Sequence, residues 1–121
     1  MGEYTREELE EALQIVASTI SRCEKAQPKF VEGTSQHTLL RNRLKALYIS
    51  KSLLLDEHVE VKYTKEELDD ALKPVSSIII KCEKAQLKFT EGTFHHNGFN
   101  NTIKAMYISK SLISDEISKR G

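Results

Sequence analysis

Two stretches of this chain carry apolar residues at alternating four- and three-residue steps. The first runs Leu9, Leu13, Val16, Ile20, Cys23, Gln27, Phe30, and the second Leu68, Leu72, Val75, Ile79, Cys82, Gln86, Phe89. That spacing is a heptad stripe on one face of a helix. Each stripe opens on a helix-start pattern. Thr5 is placed to cap, Glu8 follows three residues on, and Tyr4 and Leu9 can staple; Thr64, Glu67, Tyr63 and Leu68 repeat the set. Each stripe closes at Glu-Gly-Thr, residues 32–34 and 91–93. Glycine suits a left-handed helix end and threonine the next cap. A second helix over about 35–57, and its later counterpart, carry two apolar faces. Leu40, Leu44, Leu47 and Leu54 lie nearly opposite Ala46, Ile49 and Leu53. A helix apolar on both sides is sandwiched. Pro28 and Pro74 are expected to kink the first and third helices.

The pattern is the same message written twice. At an offset of 59, residues 4–58 and 63–117 agree at 32 of 55 positions without a gap. Residues 59–62 are β-branched and alternating, and are expected to be a non-helical linker. The predicted architecture is all-α: a four-helix bundle built from two tandem antiparallel helical hairpins, in one domain over 1–121. A 59-residue half is marginal as an independent fold, so the halves are expected to share a core.

Charge changes the picture by exclusion. Eighteen basic residues balance eighteen acidic ones. This argues against nucleic-acid binding as the main task. No apolar run approaches the length of a membrane span. The start, Met1-Gly2-Glu3-Tyr4, lacks a basic-then-apolar leader, and Arg6 stands where a myristoylation site wants Ser or Thr. A cytoplasmic location is the default expectation. Cys23 and Cys82 are read as core thiols rather than a disulfide or reactive groups.

Polar residues kept in both copies are the candidate chemistry. Lys51 and Lys110 fall on the apolar stripe inside an identical Tyr-Ile-Ser-Lys-Ser-Leu run, residues 48–53 and 107–112. They either snorkel past the bundle or point into a pocket. Gly33-Thr34 with His37, and Gly92-Thr93 with His96, stand at helix N-termini, where free N–H groups and the helix dipole favour anions. Lys45 and Lys104 lie further along the same helices, and Tyr48 and Tyr107 at the edge between stripes. The structural alternatives are capping for Gly and Thr, a solvated face for the lysines, and hairpin-boundary packing for the tyrosines. Gln27 and Gln86 are read as register-fixing polar residues on the seam. Drift between copies concentrates at 35–43 against 94–102, where Arg41 and Arg43 become Asn100 and Thr102.

There is no His-Glu-x-x-His, no cysteine pair at metal spacing, no phosphate loop and no nucleophile–base set. No enzyme, metal or cofactor is expected. Two functions remain. One is a binding protein that sequesters an anionic small molecule such as a nucleotide, through Gly33, Thr34, His37, Arg41, Lys45, Tyr48 and Lys51 and through Thr93, His96, Lys104, Tyr107 and Lys110. The other is a protein-interaction module, with homo-oligomers or a protein partner. The Tyr-Thr-x-Glu-Glu-Leu start and the Cys-Glu-Lys-Ala-Gln and Glu-Gly-Thr runs resemble small single-hairpin proteins of unknown function encoded by Firmicutes and their prophages. The resemblance covers nearly the whole chain and implies an all-helical fold, with no assigned activity. Some small helical-hairpin phage proteins bind immune signalling nucleotides. That likeness of architecture implies a phage-type accessory or anti-defence role.

Overall fold

A computed structural model describes residues 4–121; Met1, Gly2 and Glu3, on which the leader and lipidation readings fall, lie outside the described residues. The described chain is helical, in five helices: α1 (Arg6–Ala26), α2 (Ser35–Leu54), α3 (Val59–Lys62), α4 (Lys65–Gln86) and α5 (Phe94–Lys119). A 3₁₀ turn over Gln27–Lys29 continues α1.

The four long helices start as their capping residues require. Thr5 and Thr64 accept from the Glu8 and Glu67 amides at 3.0 and 3.1 Å, and those glutamates accept back from the threonine amides at 2.9 Å. Both capping boxes are complete. Thr34 and Thr93 cap α2 and α5 by accepting from the His37 and His96 amides at 3.3 Å. Their hydroxyls donate to the Val31 and Thr90 carbonyls at 2.7 Å, closing the loop before each helix. Gly33 and Gly92 sit at φ 94° and 91°, where a Cβ is strained.

The helix ends depart from the expectation in three places. α1 stops at Ala26, because Pro28 has no amide for the Glu24 carbonyl and the last turn tightens to 3₁₀. α4 continues through Pro74 as one helix. α2 ends at Leu54 rather than near 57. The Glu57 amide bonds the Ser52 carbonyl at 3.0 Å and the Asp56 amide bonds the Leu53 carbonyl at 3.1 Å, a Schellman end with Asp56 at φ 57°. The linker is not extended: Val59–Lys62 form one helical turn, with the Tyr63 amide on the Val59 carbonyl at 3.0 Å. Val59 is buried, and that burial outweighs the weak helix preference of a β-branched residue.

α2 and α5 form the inner pair of the bundle. They pack on each other, α1 packs on α2 and α5, and α4 packs on the same two; among the described residues α1 and α4 do not meet. This is the reason for two apolar faces. Leu44, Leu47, Ala46 and Ile49 are all buried on α2, as are Met106, Ile113, Ala105 and Ile108 on α5. Val16, Ile20, Val75 and Ile79 close the same core from α1 and α4. Among the described residues no helix is long and apolar enough to cross a membrane.

Candidate functional site

The residues kept in both copies separate on the structure into three groups. The first is core. Lys51 and Lys110 are exposed, not on the packed stripe. Ser50 and Ser109 beside them are fully buried, each donating to the carbonyl four residues earlier, Ala46 or Ala105, at 2.9 Å. A small hydroxyl satisfied by its own helix lets two helices approach closely without an orphaned polar group. Burial of Ile49, Ser50, Ile108 and Ser109 accounts for the identical run around both lysines.

The second group joins helices. Lys45 on α2 lies 3.1 Å from Glu67 on α4, and Lys104 on α5 lies 3.5 Å from Glu8 on α1. Each copy's lysine thus meets the other copy's capping glutamate. The backbone amides of Thr5 and Thr64, then the lysines, hold both carboxyls below the usual range. These pairs cross two grooves of about 190 and 470 Å³, between α1 and α5 and between α2 and α4. Glu11 and Asn101 also line the first, and Asp70, Lys73 and Asn42 the second, so the first holds two acids and one lysine and the second two of each. Tyr48 donates to Glu24 of α1, which raises its phenol above the ordinary range. Tyr107 is half exposed. Gln86 bonds the His96 carbonyl at 3.2 Å and Asn100 at 3.1 Å, tying α4 to α5.

The third group gathers at the loop end. Arg22, a turn from the end of α1, and Arg43, two turns into α2, both act on the thiols of Cys23 and Cys82, near the ends of α1 and α4. The loops after α1 and α4 therefore share one end of the bundle. Arg120, beyond the last helix, bonds the Tyr63 and Val59 carbonyls at the opposite, linker end. The predicted anion-site residues divide accordingly: Gly33, Thr34, His37, Arg41, Thr93 and His96 at or near the loop end, Lys45 and Lys104 paired along the grooves, Lys51 and Lys110 toward the linker end. The cap threonines already accept the His37 and His96 amides. Burial pushes both cysteine thiols up, against the pull of the arginines, so neither is an activated nucleophile.

The loop end is apolar where it meets solvent. Val31 is 74 %, Leu87 86 % and Phe94 85 % exposed, and Leu39, Phe30 and Phe89 in the same two segments are 37–42 % exposed. The Phe89 ring lies 4.9 Å from that of His95 and 5.9 Å from that of Phe99. The loop-end segments 22–43 and 81–102 hold eight Lys and Arg against four Glu; the balanced chain leaves ten against fourteen elsewhere. The loop-end segments are therefore basic, and the rest of the chain is acidic. Sequence reading by helical stripes missed this surface because its most exposed residues are not repeated, Leu87 and Phe94 standing opposite Pro28 and Ser35, and because it put the repeated Phe30 and Phe89 on the packed stripe. It marked Arg43 only as a point of drift between the copies. Comparison with family models, with curated proteins and with solved structures finds no match to this chain.

Proposed function

We propose that the chain is two tandem copies of one antiparallel hairpin, closed about a pseudo-two-fold axis, and that it acts as a non-enzymatic protein-interaction module through its loop end. The partner presents apolar side chains among carboxylates. The observation that carries this reading is the exposure of Val31, Leu87 and Phe94 at one basic end of the bundle. Large apolar residues gathered at one place on a surface mark contact sites. Charge complementarity selects an acidic partner and speeds encounter with it. The reciprocal Lys45–Glu67 and Lys104–Glu8 pairs support the duplicated hairpin. A phage-type accessory role is compatible with such a module.

Sequestration of a small anion at the residues expected from sequence has less geometric support. Two of its lysines are paired with glutamates and two are exposed near the far end. The test of the interaction reading is retention of a partner by the immobilised chain. Leu87→Ser with Phe94→Ser should release it, while Val61→Ser, at an equally exposed site of the linker end, should not. Equal retention by all three proteins contradicts the assignment.

A further inference from the structure

Arg43 is the one inward-facing arginine of α2. It lies two turns before the fully buried Ser50, on the same side of the helix. Its Nε and Nη2 are buried and have no hydrogen-bond partner among the described residues. Among the described residues no carboxylate is paired with it. Arg22 and Glu83 also act on the Cys82 thiol at that end, and Arg22 donates from Nη2 to Thr19 at 3.4 Å. A guanidinium that is always charged and offers planar donors is costly to bury unpaired. The same geometry is what holds an oxyanion by two parallel N–H bonds. Arg43 as a whole is only half-buried, and Leu39, exposed, lies one turn earlier on the same helix.

We propose that Arg43 is an oxyanion seat at the loop end, taking either a phosphate or a carboxylate. The seat belongs to one copy only, since Thr102 stands at the equivalent position of α5. It goes beyond the interaction reading and stands whether or not a partner docks. It would receive a partner's acidic side chain in one case and a free phosphate in the other.

The test observes the arginine Nε–Hε resonances of the intact chain by NMR while sodium phosphate, or separately sodium acetate, is titrated against sodium chloride at matched ionic strength. The expected result is a saturable shift of the Arg43 signal in the millimolar range, with Arg41 following only ionic strength. Saturation by acetate assigns a carboxylate; saturation by phosphate alone assigns a phosphate. Thr replacement, Arg43→Thr, should remove the remaining backbone-amide response, and Arg43→Lys should weaken it about tenfold, because an ammonium lacks the planar fork. Linear, unsaturated shifts with both salts overturn the proposal, as does an unchanged backbone-amide response in Arg43→Thr. Those outcomes leave partner retention through Leu87 and Phe94 untouched.

Discussion

Lys45 on α2 places its ammonium 3.1 Å from the Glu67 carboxylate, the same carboxylate that closes the capping box of α4. One residue thus serves a helix start and a helix–helix contact. The two roles can be separated. Glu67→Gln keeps a side chain that can accept from the Thr64 amide but loses the ion pair. It should cost less than loss of the cap, because the pair is solvent-screened. Thr64→Ala removes the cap and should cost about 1 kcal/mol. Urea unfolding of the two variants checks the order.

Acid should weaken the fold through the same residues. Glu8 and Glu67 have folded pKa values lowered below 4.5, first by the Thr5 and Thr64 amides and then by the lysines; Glu57 is lowered by Lys62 and Ser52. A lowered carboxyl stabilises the folded state above its unfolded pKa. That contribution is lost as pH falls through the folded value. The melting temperature is therefore expected to fall steadily from about pH 5 toward pH 2. Glu8→Gln and Glu67→Gln together should flatten that dependence, because the titrating carboxyls are then gone. Tyr48 has the opposite sign. Its raised pKa supports stability below the usual phenol range and withdraws it as alkali titrates the folded group. Absorbance titration should find one tyrosine ionising late, and Glu24→Gln should bring it back.

Arg120 holds the linker end closed. It bonds the Tyr63 and Val59 carbonyls and pairs with Glu116 at 3.3 Å, both side chains being largely buried. Arg120→Met leaves a buried carboxylate and two carbonyls without their donor. A loss of about 3 kcal/mol or more is expected in denaturant unfolding.

Asp56 ends α2 in a left-handed conformation that glycine adopts more readily. Asp56→Gly should raise stability by about 0.5–1 kcal/mol, relief of strain exceeding the added freedom of the unfolded chain. The equivalent position, Asp115, is helical, and glycine there should destabilise by about the same amount. Thermal unfolding of the two single variants tests this opposition of sign.

Helix starts were readable because Thr-x-x-Glu and Gly-Thr act locally, and the inner position of α2 and α5 was readable because two-faced burial leaves two apolar stripes. The linker turn was not, since Val59 is helical only by virtue of tertiary burial. Nor was the role of the kept run around Lys51. Repetition marks what both hairpins need, and here it marked Ser50 in the core rather than the lysine beside it. The unrepeated Leu87, Phe94 and Arg43 carry no periodic signal. They became visible only when the two loops were brought to one end.

The most direct test of the central claim is hydrogen exchange on the chain alone and with the protein it retains. The loop-end reading predicts new protection over 27–43 and 87–99 and none over 55–62. Protection confined to the grooves or the linker end contradicts it, as would a strictly monomeric chain that retains no protein at all.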